Sequence, residues 1–268
     1  MEHENHPKIL YHYTSAEGLL GILSNKELWA TKITYLNDSK ELEHAIDICK
    51  SHVRALELGK AIDSKLSSNF ISQLDSLPHA NVCICSFTEV GDLLSQWRAY
   101  CGDSNGYSIG IQRETLQEIG SKTGFILARC IYDLEQQNDL IIEFVDKQIK
   151  KIKNNSTEES ADNFQIEFLK IAALMKDNGF KEEKEWRLIS DVKNTDDEGF
   201  SFRASKTTLI PFFKIPLTLL NLKFGVDEII VGPTPNPRLA HISAILFYYK
   251  CTGMTAKIEI SKIPYRKL

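Results

Sequence analysis

Residues 9–23 read ILYHYTSAEGLLGIL, and this stretch indicates the class of fold. The short aromatic and apolar run at residues 9–13 is typical of a β-strand. Thr14 is followed three residues later by Glu17, which matches a capping box, in which two side chains satisfy free N–H groups at a helix start. The apolar residues at positions 19, 20, 22 and 23 then supply one face of a helix. A strand that leads directly into a helix predicts a protein of mixed strands and helices.

The rest of the chain continues this mixture without a repeating strand–helix–strand order. Further strands are predicted over residues 28–31, 82–87, 107–112, 125–132, 185–190, 200–204, 209–213, 228–231 and 256–260. Helices are predicted over residues 42–56 (capped at 37–39), 66–74, 93–100, 135–153, 161–177 and 236–252 (stopped at Gly253). The strands at 185–190 and 200–204 are expected to form a hairpin. This pattern predicts a single α+β domain over residues 1–268 and not a doubly wound parallel sheet.

Composition and charge exclude several classes of protein. The chain has 268 residues, of which 43% are hydrophobic and 25% charged, as is usual for a globular protein. Its net charge of −4 gives no general attraction to nucleic acid or to anionic membranes. No apolar run reaches the roughly 20 residues that a membrane-spanning helix needs. The polar start lacks the features of a secretory signal, so we expect a cytoplasmic protein without a membrane partner.

The cysteines offer one candidate metal site. His79, Cys83 and Cys85 are of the residue types that bind zinc, but no second cysteine pair follows at the spacing of a zinc finger. Because side chains alternate along a strand, Cys83 and Cys85 are both able to point into the core. We therefore predict no metal site, and we expect the six scattered cysteines to be reduced.

Two aromatic segments are candidate ligand-binding sites. In the first, His12 lies between Tyr11 and Tyr13, so an imidazole can hydrogen-bond a ligand on which the rings stack. The alternative is a histidine that backbone groups satisfy at the end of a strand. In the second, Trp97 and Tyr100 lie three residues apart and Arg98 is able to reach an anion. The alternative there is a short amphipathic helix whose aromatic residues only pack.

The segment Lys181–Arg187 is the candidate source of catalytic carboxylates. If it forms a strand, then Glu183, Glu185 and Arg187 share one face. Two carboxylates beside a cation change each other's proton affinity and can serve as acid, base or charge stabiliser. The alternative is a solvated charged edge that prevents aggregation between sheets.

These segments together resemble a known family. The landmarks are Tyr11–Thr14, Asn37–Asp38 with Glu41, Cys85–Phe87, Gln96–Tyr100, Gly106–Gly110, Glu183–Arg187 and Ile229–Gly232. In this order they resemble the bacterial family known as domain of unknown function 2971. That family in turn resembles, more distantly, the ADP-ribosyltransferase fold, in which two small, mostly antiparallel sheets and flanking helices enclose a cleft for NAD.

The resemblance implies a function and a set of site residues. It implies an NAD-dependent ADP-ribosyltransferase that acts on a macromolecular acceptor in bacterial conflict or phage defence, with Glu185 and Glu183 as the catalytic residues. It implies that NAD, as substrate, is bound by His12, Tyr13, Trp97, Arg98 and Tyr100. A middle motif position of the fold is open between Tyr100 and Ser86. The alternative function is a non-catalytic module that binds a nucleotide or a protein on the same scaffold.

Overall fold

The structure, a computed structural model, has an α+β fold and describes residues 6–36, 39–101, 106–153, 161–218 and 225–264. Its strands are β1 (Ile9–Ser15), β2 (Glu27–Lys32), β3 (Cys83–Thr88), β4 (Gly106–Gln112), β5 (Phe125–Arg129), β6 (Glu185–Ser190), β7 (Phe200–Ala204), β8 (Leu209–Pro216), β9 (Glu228–Val231) and β10 (Lys257–Ile260). Its α-helices are α1 (Ala16–Asn25), α2 (Ser39–Leu58), α3 (Ser64–Ser76), α4 (Leu94–Tyr100), α5 (Arg113–Thr123), α6 (Leu134–Lys153), α7 (Ala161–Ala172) and α8 (Pro237–Thr252).

Within the described residues, the strands form one open sheet. The main path runs β10-β9-β4-β1-β3-β2-β8-β7, and β5 and β6 branch from β3. Neighbouring strands are antiparallel except for β9 and β10, which are parallel. The two separate small sheets that the resemblance implies are therefore replaced by a single mixed sheet of ten strands.

The sheet divides at β3. One edge of β3 pairs with β6 along almost its whole length, from Ile84 to Thr88. The other edge is shared, because β1 pairs with it only at Thr88 and β2 pairs with it only at Cys83 and Ile84. Residues 85–87 of β3 therefore face a gap between β1 and β2.

Alternation along β6 separates two hydrophobic layers. Trp186 and Leu188 point to a core that also contains residues of α1, α5 and α8. Ile189 points to the opposite face, where it packs with α2, α3, α6 and α7. Glu185 and Arg187 alternate with Trp186 and Leu188, so they share the face of Ile189. The charged residues of β6 thus lie against the helical layer and not on a solvated edge.

Several local predictions differ from the structure. The N-cap of α1 is Ser15, whose hydroxyl accepts a hydrogen bond from the Gly18 amide, because β1 continues through Thr14. The hairpin predicted between residues 185–190 and 200–204 is wrong, since β6 lies between β3 and β5, and β7 pairs with β8. Helix α5 was not predicted. Residues 37–38 lie outside the described part of the chain.

Other boundaries agree with the sequence patterns. Helix α8 begins at Pro237 after Asn236, and Gly253 ends it in the left-handed conformation, with a φ of 68°. Proline at the first helical position and glycine after the last one have these conformations at little energetic penalty. No helix in the described ranges is both long and apolar enough to cross a membrane.

The junction of β3 and β6 provides a test of the fold. The buried Ser190 hydroxyl accepts a hydrogen bond of 2.8 Å from the Cys83 amide, at the point where β3 begins. Ser190→Ala leaves this buried amide without its acceptor, so we expect the free energy of unfolding to fall by about 1–3 kcal/mol in urea titrations. Ser121→Ala, at an exposed helical serine, is the control and should change it by less than about 0.5 kcal/mol. Equal effects of the two substitutions would contradict this role of Ser190.

Candidate functional site

A small pocket opens beside the gap that β1 and β2 leave along β3. Its volume is about 60 Å³. It is lined by residues 11–13 of β1, residues 86–88 of β3, Gln96, Tyr100, Glu183 and Glu185. The division of the sheet thus brings the predicted histidine and both predicted carboxylates to one cavity, although they are more than 170 positions apart in the sequence.

His12 bridges the two strands where they separate. Its Nδ1 lies 3.0 Å from the carbonyl oxygen of Ser86. Because a carbonyl only accepts, Nδ1 carries the proton, and Nε2 is left as an acceptor in the neutral ring. Burial lowers the pKa of His12 more than the bond to Ser86 raises it, and the charge of Arg203 lowers it further. The ring is therefore neutral at physiological pH.

Glu183 and Glu185 meet on one buried lysine. The Nζ of Lys176 lies 3.0 Å from a carboxylate oxygen of Glu183 and 2.7 Å from one of Glu185. The two carboxylates do not converge through strand alternation, since Glu183 ends a 3₁₀ helix (Asn178–Glu183) before β6 begins. Lys184, in the left-handed conformation with a φ of 43°, turns the chain between them. The prediction that both belong to one strand is wrong, but both do line the pocket.

Arg187 completes the cluster. Its Nε lies 2.8 Å and its Nη2 3.2 Å from the two carboxylate oxygens of Glu185, a bidentate arrangement. Its Nη1 donates to the carbonyl of Ala173, just after α7. Lys176, Glu185 and Arg187 are each at least 95% buried. Burial raises the pKa of Glu185, but the charges and hydrogen bonds of Arg187 and Lys176 outweigh it and lower the pKa to about 2.

The other predicted ligand-binding residues divide into two groups. Tyr13 and Tyr100 line the pocket, and Tyr100 is 40% exposed at its rim. Trp97 does not line it: the indole is buried, packs edge-on against Tyr13 with ring centroids 4.5 Å apart, and donates to Asp92. Arg98 does not line it either, since its side chain is exposed on the other side of α4. Helical spacing explains the position of Arg98, because residues 96 and 100 are four apart and share a face, whereas residue 98 lies two positions from each and faces the other way.

Tyr13 also fixes the loop that follows β3. Its hydroxyl donates to the carbonyl of Val90 and accepts from the amide of Leu93, with both distances 2.9 Å. This loop leads into α4, which carries Gln96 and Tyr100 to the pocket. Tyr13 therefore lines the pocket and also holds the segment that brings Gln96 and Tyr100 to it.

The candidate zinc ligands do not come together. Cys83 and Cys85 are buried in the core, whereas His79 is exposed. Within the described residues, no group of three or more His, Cys, Asp or Glu side chains has the arrangement of a metal site. The Sγ of Cys85 lies 4.0 Å from Nδ1 of His12, but burial raises the pKa of this thiol to about 12. Cys85 and His12 are consequently not an activated thiolate pair.

Three positions in the pocket or next to the charged cluster were not among the predicted site residues. Gln96 lines the pocket, Lys176 joins the two carboxylates, and the Tyr132 hydroxyl accepts a hydrogen bond from the Glu185 amide. Of the two candidates for the middle motif position, both Ser86 and Tyr100 line the pocket. Lys176 had one local signal, a lone cation at the end of an apolar helical stretch, but nothing in the sequence near it indicates its partners.

Comparison with known proteins gives one result. The model of the family described as a protein of unknown function, DUF2971, matches residues 96–188. The match supports the resemblance to that family over about a third of the chain, from α4 to β6, and it includes Gln96, Tyr100, Glu183 and Glu185. No curated protein and no solved structure matches the chain. These comparisons therefore give no support to the similarity with ADP-ribosyltransferases.

The low pKa of Glu185 predicts a pH dependence of stability. A folded-state pKa of about 2, against an ordinary value of 4.5, means that ionised Glu185 stabilises the fold above about pH 4.5, and that this contribution is lost as the pH falls toward 2. Glu185→Gln leaves two buried cations without this partner, so we expect it to lower the free energy of unfolding by about 3–5 kcal/mol at pH 7. The measurement is urea unfolding of both proteins from pH 7 to pH 3.

The difference between the two proteins should shrink below about pH 4.5. Glu167→Gln is the matched control, because Glu167 also pairs with lysines but is one-third exposed, and it should cost less than about 1 kcal/mol. A wild-type to Glu185→Gln difference that stays constant from pH 7 to pH 3 would show that the charge of Glu185 is not what stabilises the fold.

Proposed function

We propose that the protein is an NAD-dependent enzyme of the ADP-ribosyltransferase type, which transfers ADP-ribose to a macromolecular acceptor. The observation that carries the proposal is one pocket with His12 on one wall and two carboxylates, Glu183 and Glu185, on the other. The gap between β1 and β2 along β3 stands in for the cleft between the two half-sheets of that fold. The resemblance supplies the biological setting, which is bacterial conflict or phage defence.

The chemistry requires a fixed negative charge. When the bond between nicotinamide and the ribose C1′ breaks, its electron pair leaves with nicotinamide and positive charge develops on the ribose, as in glycoside hydrolysis. Glu185 is ionised at neutral pH because its pKa is about 2, so it acts by its charge and not as a proton donor. Arg187 and Lys176 hold the carboxylate in place, and preorganisation of this kind is what makes electrostatic stabilisation effective.

The other lining residues have separate roles in this proposal. Glu183, which ends a 3₁₀ helix at the pocket, orients or deprotonates the acceptor, whose nucleophile then bonds to C1′. His12 anchors the bound nucleotide, and Tyr100 stacks on the nicotinamide ring. Trp97 supports this arrangement indirectly through its contact with Tyr13.

A non-catalytic module that binds a nucleotide or protein is the second candidate. Two observations favour it: the charge of Glu185 is already matched by two cations, and a cavity of about 60 Å³ is far smaller than the 300–1,000 Å³ of most ligand sites. If the protein is such a module, the buried charges only stabilise the structure, and NAD that binds is released without being cleaved.

Nicotinamide release from NAD is the test of catalysis. We expect release by the wild type, a loss on the order of 100-fold or more for Glu185→Gln, and a milder loss for Glu183→Gln in the absence of acceptor. His12→Ala should mainly raise KM, because it removes binding and not the charge at the ribose. Since Glu185→Gln is also expected to lower stability, all variants are assayed at a temperature where circular dichroism shows them folded.

Two controls separate catalysis from stability. Glu167→Gln, remote from the pocket, should retain the wild-type rate. If Glu185→Gln, while folded, releases nicotinamide at the wild-type rate, then the role assigned to Glu185 is wrong. If the wild type binds NAD in a calorimeter but releases no nicotinamide with any acceptor offered, the binding module is the correct account.

A further inference from the structure

Gln96 is a buried polar residue that lines the pocket without a side-chain hydrogen bond to the described part of the protein. Its side chain is 6% exposed and lines the pocket. Among the described residues its amide neither donates nor accepts a hydrogen bond, in contrast to the buried Gln148, which donates to Glu167 at 2.8 Å. The amide is not among the fully enclosed side-chain groups that lack a partner, so it is open to the pocket, where water or a ligand can bond to it.

Two neighbouring residues of the pocket also carry polar atoms that bond to no described protein group. His12 uses Nδ1 to bond Ser86, and its Nε2 has no hydrogen-bond partner within the described ranges. The same holds for the hydroxyl of Ser86, which also lines the pocket. Nε2 of the neutral ring only accepts, whereas the Gln96 amide offers two N–H donors and one acceptor oxygen. A molecule that satisfies both residues needs a donor for Nε2 and an acceptor for the Gln96 N–H groups, and a carboxamide supplies both.

The size and charge of the pocket narrow the choice of ligand group further. A volume of about 60 Å³ holds only a few water molecules at the roughly 10–15 Å³ that each requires, so one small planar group fits and a whole dinucleotide does not. Glu183 and Glu185 line the same cavity whereas Lys176 and Arg187 do not, so a carboxylate that enters it lies nearest to groups of like charge. A neutral primary carboxamide has the required donor, acceptor, size and charge.

We propose that the pocket receives the carboxamide of nicotinamide and that Gln96 is the residue that distinguishes it from a carboxylate. The inference rests on the proposed function for the identity of the ligand, and it adds a specificity-determining residue on α4. The ribose C1′ then lies at the mouth of the pocket, within reach of the Glu185 charge, and the remainder of NAD lies outside, past the partly exposed Tyr100.

Free nicotinamide and nicotinic acid are the probes, because they share a ring and differ only in the amide or carboxylate. We expect the wild type to bind nicotinamide at least about tenfold more tightly than nicotinic acid, measured by calorimetry or by ligand-observed NMR. Gln96→Leu, of similar size, should weaken nicotinamide binding at least about tenfold and remove most of the discrimination. Gln96→Glu should weaken it as well, because a carboxylate cannot donate.

Thermal unfolding separates recognition from a structural role. Gln96→Leu removes an amide that no described protein group satisfies, so its melting temperature should equal or exceed that of the wild type. The control Gln148→Leu breaks a hydrogen bond to Glu167, so it should lower the melting temperature and leave nicotinamide binding unchanged. A lowered melting temperature together with wild-type nicotinamide binding in Gln96→Leu would assign Gln96 to structure and overturn the proposal.

The remaining outcomes distinguish this proposal from the proposed function. Suppose that the wild type cleaves NAD, and that the Gln96 variants have the wild-type KM and the wild-type affinity for both probes. The role proposed for Gln96 is then wrong, and the catalytic proposal stands. If nicotinamide binds in a Gln96-dependent manner and NAD stays intact, the recognition proposal stands and catalysis is wrong. Equal binding of the two probes by the wild type overturns the recognition proposal, and the pocket then holds water.

Discussion

The hydrogen bond from His12 to the Ser86 carbonyl is the interaction on which the site depends. It occurs where β3 exchanges one neighbour for another, since β1 pairs with β3 only at Thr88 and β2 pairs with it only at Cys83 and Ile84. A strand edge that faces a gap carries backbone groups that need partners. The imidazole satisfies one of them and, in doing so, fixes its own tautomer. The same contact therefore closes the sheet and directs an acceptor nitrogen into the region between the strands.

The opposite wall is fixed by charge. Glu183, Glu185, Lys176 and Arg187 carry two negative and two positive charges, and the cluster is almost wholly buried. A buried cluster of this kind is stable only while it is complete, because the loss of one member leaves another charge uncompensated. The left-handed conformation of Lys184 brings Glu183 into the cluster. This arrangement keeps Glu185 ionised and oriented, which a catalytic and a purely structural role both require.

Local patterns in the sequence identified most elements but not their partners. The aromatic run at residues 9–13 and the helix stop at Gly253 depend on near neighbours, and both are present in the structure. The pairing of β6 with β3 and β5 depends on residues about 60 to 100 positions away, and the predicted hairpin was wrong for that reason. Strand alternation brought Glu185 and Arg187 together correctly. Strand alternation could not identify Lys176, because this residue lies outside β6 and meets the two carboxylates only in the folded chain.

The segment that matches the family model contains only part of the pocket. Residues 96–188 include Gln96, Tyr100 and both carboxylates, but not β1 or β3. Without β3, the strand that carries Glu185 would lose its pairing along one edge, and without His12 the pocket would lack a wall. The matched segment is consequently not a self-sufficient unit. The site forms only because β3 pairs with β1, from the first 15 residues, on one edge and with β6 on the other. The wall with His12 and the wall with the carboxylates therefore both depend on β3.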